Sequence, residues 1–126
     1  MSRSITALVL LLLAAPTGAT GQVPVTVKED LIFSRVGGAA VLADIAYPVD
    51  GDELPVIMYV HGGRWRAGSR VNDAGLQVSD WAGRGFFAMT IDYRLVGSSP
   101  APAPYQDVQT AIGWVHAHAE EYGIDE

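Results

Sequence analysis

The residues that could carry out chemistry are concentrated in one short stretch of the sequence, YVHGGRWRAGSR at positions 59–70. An apolar run ends at His61, the pair Gly62 and Gly63 follows, and three arginines and a tryptophan then fall in a short predicted loop. Because glycine has no Cβ, a glycine pair at a strand end allows backbone N–H groups to approach a substrate oxygen closely. Such donors stabilise the oxyanion of acyl transfer, and each is worth roughly a hundredfold to a thousandfold in rate. A plain tight turn needs the same glycines, so the pair alone leaves both interpretations open.

Two glycine-rich patterns fit the spacing of cofactor motifs but lack a feature that each motif requires. GRGFFA at positions 83–88 matches a dinucleotide-binding spacing, yet it precedes a predicted strand, whereas that fingerprint follows a strand and opens a helix. GRWRAGS at positions 63–69 has the spacing of a phosphate-binding loop, but Ser69 stands where the motif needs a lysine. The sequence therefore predicts no bound cofactor.

A histidine pair close to two acidic residues is the pattern that most resembles a metal site. His116 and His118 precede Glu120 and Glu121 in a segment that is predicted to be helical. Residues two apart on a helix point away from each other, so the two imidazoles are badly placed to share an ion. We interpret the group as a solvated helix edge and predict no metal site.

The first 21 residues have the pattern of a secretory signal peptide, with Arg3 as a charged start, an apolar core at positions 5–15 and small residues up to Gly21. The apolar core is shorter than the ~20 residues that span a bilayer. We expect cleavage near Ala19 or Gly21, export to the periplasm or the extracellular space, and no stable membrane span afterwards. A retained N-terminal anchor is the alternative. The chain has no cysteine, which excludes disulfides and a lipid-modified cysteine.

The chain is acidic, with a formal charge of −6 at pH 7. Its acidic residues are scattered along the sequence, as on a solvated surface. Affinity for nucleic acids depends on basic side chains that neutralise phosphates, so this composition predicts no nucleic-acid partner.

The elements that must position the glycine loop begin with two strands between positions 25 and 47, joined at Gly37 and Gly38 as an antiparallel hairpin. Val41, Ala43 and Ile45 fall on one face of the second strand, together with Tyr47. The apolar runs at positions 54–61 and 85–93 are almost unbroken, which is typical of strands buried on both faces in a parallel sheet.

Two helices complete the predicted elements. The first is capped by Asn72 and Asp73 and ends at Gly85. The second runs from Tyr105 to about Tyr122 and stops at Gly123. Apolar residues at helical spacing predict one buried face on this second helix, formed by Val108, Ala111, Ile112, Val115, Ala119 and Tyr122.

Three segments resemble, in order and spacing, the N-terminal half of the α/β-hydrolase esterases: LPVIMYVHGGRWRAGSR, WAGRGFFAMTIDYRL and PAPYQDVQTAIGWVHAHAEEYGID. The sequence is similar to the hormone-sensitive-lipase-like esterases and to exported acetyl and feruloyl esterases, from about Val25 onwards. The resemblance implies an α/β class and a partial α/β-hydrolase fold of strands 1–4 and the first two helices, with a mostly parallel sheet and an antiparallel starting hairpin. Residues 22–126 are then the N-terminal part of one such domain, with strand order 1-2-4-3 and strand 3 at the edge.

The same resemblance assigns roles to the glycine loop. It implies that the backbone N–H groups of Gly63 and Arg64 form part of an oxyanion hole, and that His61, Gly62 and Trp65 support the loop. Many relatives have a third glycine where this sequence has Arg64. The N–H group is retained there, but the arginine side chain needs a place to go.

A second pair of residues is implied to be scaffold. Arg94, in the DYR segment, is expected to pair with Asp107, and Asp107 would also suit the positive start of its helix.

Enzymes of this fold need a serine in G-x-S-x-G, followed by an acid and a histidine. No serine of residues 22–126 lies in that pattern, and in the family this motif follows the GID segment near the end of the sequence. The nucleophile, the acid and the base are therefore absent from these 126 residues, and we predict that the chain alone is inactive. The serines of residues 22–126 are Ser34, Ser69, Ser79, Ser98 and Ser99.

The resemblance implies a serine hydrolase of carboxylic esters that acts on a small-molecule or polysaccharide-linked ester, with this chain supplying the oxyanion-hole half. Two alternatives remain: a non-catalytic short relative that binds ligands or another chain, and an amide or formamide hydrolase, since formamidase relatives share H-G-G-x-W. A reading frame that continues into G-x-S-x-G would separate the first alternative from the enzyme. An exposed strand 3 also predicts self-association.

Overall fold

Four strands and three helices make up the part of the chain that the computed structural model describes, residues 21–71 and 76–126. In chain order these are β1 (Val25–Val36), β2 (Ala39–Pro48), β3 (Val56–Val60), α1 (Val78–Ala82), β4 (Phe87–Ile91), α2 (Ala103–Ala117) and α3 (Ala119–Tyr122). The strands form one sheet in the order β1-β2-β4-β3, which confirms the predicted α/β class, the strand order and the edge position of β3. The predicted cap at Asn72 and Asp73 and the leader up to position 20 lie outside the described residues.

The starting hairpin turns at Gly37 and Gly38, as predicted. Both glycines have positive φ, 56° and 83°, which is the backbone that a two-residue hairpin turn with the natural strand twist requires. The second strand is buried on both faces, because the successive residues Ile45 and Ala46 are both 0% exposed. The hairpin therefore contributes buried residues of β2 to the hydrophobic core.

The direction of the strands corrects one expectation, since the sheet is mixed rather than mostly parallel over the described residues. β3 runs parallel to β4, but β2 runs antiparallel both to β1 and to β4. The connection from β2 to β3 is too short for the crossover that a parallel pair needs, so these strands point in opposite directions. The helical crossover from β3 to β4 makes these two strands parallel, so β4 runs antiparallel to its neighbour β2.

The two apolar runs differ in their burial. All five residues of β4 are buried, as predicted for a central strand. β3 has one strand neighbour, and its residues are half-buried except Val56, which is 37% exposed, so the prediction of burial on both faces is wrong for β3. No strand among residues 21–71 and 76–126 pairs with its outer side, apart from an isolated parallel bridge between Leu54 and Ile124. The residues Val56, Met58 and Val60 also line an open groove against α2.

The helices differ from the prediction at their ends. α1 ends at Ala82, and Gly85 takes its left-handed turn (φ 94°) only after a further turn of chain. The second predicted helix begins two residues early, at Ala103, and breaks at His118. The His118 ring lies 2.7 Å from the Trp114 carbonyl oxygen, which also accepts the His118 N–H at 3.1 Å.

One residue of the predicted helix face is exposed, and another, Val108, is half-buried. Ile112 is 47% exposed, because it faces a groove of about 420 Å³ between α2 and β3 rather than the core. Gly123 ends α3 in the left-handed conformation (φ 64°), as predicted. No helix among the described residues is long and apolar enough to cross a membrane.

Candidate active site

The glycine loop lies where the carboxyl ends of β3 and β4 meet. The two strands are parallel, so the residues that follow Val60 and those that follow Ile91 emerge at the same edge of the sheet. This edge is where α/β folds form their ligand sites. The sequence-predicted residues at positions 61–65 and at 94 are thereby brought to one end of the molecule.

His61 is held in place by Tyr93, the second residue after β4. The Tyr93 hydroxyl donates a hydrogen bond of 2.8 Å to the His61 carbonyl oxygen. The two rings stack with centroids 4.1 Å apart, and His61 is 3% exposed. Its Nδ1 lies 2.7 Å from the Gly62 carbonyl oxygen. The imidazole is thus buried within the loop's own contacts, which is the geometry of a supporting residue.

The loop is too tight for side chains at two of its glycines. Gly63 has a φ of 120°, and a Cβ there would overlap the Ala67 carbonyl oxygen. The Gly63 carbonyl in turn accepts hydrogen bonds from the N–H groups of Arg66 and Ala67, at 3.0 and 3.2 Å. Gly68 has a φ of 100°, and a Cβ there would lie 2.5 Å from the His61 ring. Glycine is therefore required at both positions by close approach as well as by positive φ.

The N–H groups of Gly63 and Arg64 have no hydrogen-bond acceptor among the residues that the structure describes. Both residues are exposed, and the Arg64 side chain extends from the surface of the loop. Arg64 and Trp65 have positive φ values of 53° and 64°, which is uncommon for residues with a side chain and is often found at functional sites. Two neighbouring donors are thus left available to an external acceptor.

Trp65 fixes the middle of the loop to two other elements. The centroid of its ring lies 4.9 Å from the ring centroid of Tyr93 and 4.8 Å from that of Tyr105 at the start of α2. Its carbonyl oxygen accepts a 2.9 Å hydrogen bond from the N–H of Val96. The residue that carries a candidate donor, Arg64, is therefore followed directly by an anchored one.

Arg94 and Asp107 are brought together. Arg94 Nε and Nη2 donate to Asp107 Oδ1 at 3.0 and 2.8 Å, and the Arg94 N–H donates to Oδ2 at 2.8 Å. The hydrogen bonding to Asp107 raises the pKa of Arg94. Asp107 is 1% exposed and lies in the second turn of α2, so the expected interaction with the helix start is wrong, because the helix begins earlier. The pair fixes the loop after β4 to α2.

Sequence reasoning missed a charged cluster at the other end of the glycine loop. The Arg70 guanidinium donates to the carboxylates of Asp30, Asp44 and Asp92. Burial lowers the pKa of Arg70, but the hydrogen bonds to Asp44 and Asp92 outweigh it and the net direction is upward. A signal was present, since Asp44 lies between apolar residues in a predicted strand, and a buried carboxylate needs a cationic partner.

The histidine pair of α2 does not form a site in the described residues. His116 is exposed, and the His118 ring contacts the Trp114 carbonyl and stacks on the Trp114 ring, with centroids 4.0 Å apart. No group of three or more metal-ligating side chains occurs in residues 21–71 or 76–126.

Comparisons with known proteins find several carboxylesterases and esterases. The chain is similar to carboxylesterase NlhH of Mycobacterium tuberculosis, with 34% identity over 107 residues that cover 81% of this chain and 34% of the relative. Esterase LipC of the same species is 37% identical over 71 residues, or 56% of this chain and 18% of the relative. The chain thus spans about a third of the length of NlhH.

Solved structures give the same result. Esterase 2 of Thermogutta terrifontis with butyrate bound superposes with a TM-score of 0.66 and 31% identity, over 79% of this chain and 36% of that one. Its apo form gives a TM-score of 0.66 and 32% identity, over 83% of this chain and 40% of that one. The BD-FAE family model matches residues 43–126. The chain therefore belongs to the BD-FAE family of α/β-hydrolase esterases.

Proposed function

We propose that residues 22–126 form the N-terminal, oxyanion-hole part of a serine hydrolase that acts on carboxylic esters. The observation that carries the proposal is the pair of exposed N–H groups, Gly63 and Arg64, that lack an acceptor among the described residues at the carboxyl end of β3. Family membership supports the reaction class, because relatives such as NlhH and LipC are named as a carboxylesterase and an esterase.

In this proposal the substrate carbonyl oxygen lies against the two donors. Negative charge builds up on that oxygen when the carbonyl carbon is attacked, so the hydrogen bonds strengthen towards the transition state and lower the barrier. The contacts of Tyr93 and Trp65 hold the loop before substrate arrives, so little reorganisation is needed during the reaction. His61 supports the loop rather than transferring a proton, because its ring is enclosed.

The nucleophile has to come from elsewhere. No serine of the sequence lies in G-x-S-x-G, so the 126 residues have no covalent route of their own and we expect no turnover of activated esters by the chain alone. A fluorophosphonate probe should label no serine stoichiometrically.

For the substrate we propose a small-molecule or polysaccharide-linked ester. One structure of Thermogutta terrifontis esterase 2 has butyrate bound, which supports a short acyl group as the first to test. A matched nitroanilide in the same assay would distinguish ester from amide hydrolysis.

A chimera provides the test. Residues 25–126 replace the matching N-terminal segment of Thermogutta terrifontis esterase 2, which supplies the remaining two thirds of the fold. We expect the chimera to hydrolyse p-nitrophenyl butyrate, and Gly63→Pro to lower kcat at least a hundredfold with little change in KM, since it removes one donor and distorts the loop. The matched control Gly97→Pro, in the loop after β4, should retain most activity. An unchanged kcat in Gly63→Pro would remove this N–H group from the oxyanion hole.

A further inference from the structure

Every hydrogen-bonding group of Arg70 has a partner. The Arg70 N–H and Nη1 donate to the two carboxylate oxygens of Asp92, at 2.7 and 2.6 Å. Nε donates to Asp44 at 2.9 Å, and Nη2 donates to Asp30. The Arg70 carbonyl oxygen accepts a 3.2 Å hydrogen bond from the Thr90 hydroxyl. Main chain and side chain together fix both the place and the orientation of this residue.

The three carboxylates come from three separate parts of the sheet. Asp44 lies in the middle of β2, Asp92 directly follows β4, and Asp30 lies in β1 within the shift of strand register between Lys28 and Leu31. Asp30 has a φ of 55°, and its N–H donates to Asp44 at 2.9 Å. A bulge of this kind re-aims a side chain, and an unfavourable φ persists where the surroundings impose it. The bulge thus directs a third carboxylate at Arg70.

Charge neutralisation alone does not account for this arrangement. One guanidinium faces three carboxylates, so a surplus of negative charge remains. Arginine differs from lysine in its planar fork, which can donate in several fixed directions at once, and here it donates to three different residues. The same residue lies at the far end of the loop whose N–H groups at Gly63 and Arg64 have no acceptor among the described residues.

We propose that Arg70 is the positioning residue that sets the conformation of the candidate oxyanion loop, residues 61–70, by fixing its far end to β1, β2 and the end of β4. Arg70 acts through the loop backbone and does not touch the substrate. The link to catalysis rests on the proposed function, whereas the effect on the loop does not.

Hydrogen exchange of the full chain, followed by mass spectrometry, tests the effect on the loop. The N–H groups of Arg66 and Ala67 report on loop order, because both donate to Gly63, and the amides of α2 serve as the reference. We expect at least tenfold faster exchange in the loop for Arg70→Met and for Arg70→Lys, with α2 unchanged. Arg35→Met, an exposed arginine at the far end of β1, is the matched control and should leave both segments unchanged.

A charge-relieved variant separates positioning from neutralisation. Arg70→Met combined with Asp30→Asn and Asp44→Asn removes the two carboxylates that contact the side chain but not the backbone of Arg70. We expect it to recover the melting temperature but not the protection of the loop. Loop protection that is unchanged in Arg70→Met, or that returns in Arg70→Lys or in the charge-relieved variant, would overturn the proposal. If Arg70→Met also speeds the exchange of the α2 amides, the charge-relieved variant is the deciding measurement. A uniform loss of protection in the loop and in α2 of that variant counts against the proposal.

Activity gives an independent second readout. In an active chimera, Arg70→Lys should lower kcat about tenfold or more with KM nearly unchanged. An inactive chimera would count against the proposed function and leave the exchange result standing, while unchanged kcat in Arg70→Lys would count against positioning.

Discussion

At the scale of single residues, Tyr93 connects the two strands that form the candidate site. It belongs to the segment after β4, yet its hydroxyl bonds to the carbonyl of His61 after β3 and its ring stacks on the imidazole. It also contacts Trp65, next to the candidate donor Arg64. One buried side chain therefore couples the ends of both parallel strands to the glycine loop.

Tyr93 should make stability fall at alkaline pH. Burial raises the pKa of its phenol above the ordinary value of 10.0, and the nearby Tyr59 adds to the effect. Above pH 10 the unfolded chain releases this proton before the folded chain does. The contribution of Tyr93 to the free energy of unfolding is therefore complete below that pH and is lost as pH rises towards the folded pKa. Tyr93→Phe should destabilise the chimera by ~0.5–1.5 kcal/mol near pH 8, through the lost hydrogen bond, and flatten the alkaline decline. Urea unfolding at several pH values measures both effects, and Tyr105→Phe, at an exposed position, is the control. An equally steep alkaline decline in Tyr93→Phe would show that Tyr93 is not its cause.

At the scale of the elements, the end of α3 connects the helices to the sheet. Gly123 closes α3 in a left-handed conformation, and its carbonyl accepts a 2.8 Å hydrogen bond from the N–H of Leu54, just before β3. The Asp125 N–H returns a 3.0 Å hydrogen bond to the Leu54 carbonyl. The helix end and the start of β3 are thus joined by a reciprocal pair of backbone bonds.

Two glycine-to-alanine changes should have opposite signs. An alanine at position 123 would have to adopt a φ of 64°, and its Cβ would lie 2.5 Å from the Gly51 carbonyl oxygen. Gly123→Ala should therefore destabilise the fold by ~1 kcal/mol or more. Gly113 lies inside α2 with open space around it, so Gly113→Ala should stabilise by roughly 0.5–1 kcal/mol through helix propensity. Thermal melts of the chimera compare the two; the same sign for both changes would refute the argument.

The sequence predicted the elements whose signals are local. Paired glycines at positions 37 and 38, the apolar run of β4 and the stop at Gly123 each depend on neighbours within a few residues. Arg70 was missed because its carboxylate partners lie 22 to 40 residues away along the chain, and only the sheet brings them together. The exposure of Ile112 was misjudged for a related reason, since an apolar pattern shows that a face prefers burial and not which element covers it. The unpaired edge of β3, in contrast, was expected from the strand order that the resemblance implies.

At the scale of the whole molecule, the outer side of β3 has no paired strand among the described residues and is open to another chain. β3 has one strand neighbour, and the apolar groove between it and α2 contains the exposed Val56 and Ile112. An uncovered apolar edge strand tends to pair with other chains unless charge or proline prevents it. We therefore propose that the chain alone self-associates through β3.

A single charge on this edge should reduce the association. Val56→Lys places a cation on the half-open side of β3, while Val49→Lys, at a 54% exposed position in the turn after β2, adds the same charge elsewhere. Sedimentation velocity should show a shift towards monomer for Val56→Lys and none for Val49→Lys. A wild-type chain that is monomeric and melts sharply would contradict the proposed association and favour the non-catalytic binding protein.

Export is the second expectation at this scale. The leader pattern predicts that the mature chain begins after Ala19 or Gly21 and is recovered outside the cytoplasm. N-terminal sequencing of the secreted or periplasmic fraction checks the cleavage position. Recovery of an intact Met1 on membrane-bound protein would instead support the retained anchor.

The convergence of three carboxylates on Arg70 also has a kinetic consequence. The β1–β2 hairpin closes a short stretch of chain and can form early, because local contacts cost little loop-closure entropy. The loop of residues 61–70 needs β1, β2 and the end of β4 in register before Arg70 has all its partners. We expect the candidate site to be the last part of this unit to order during folding, so that a refolding signal from Trp65 lags behind the formation of the sheet.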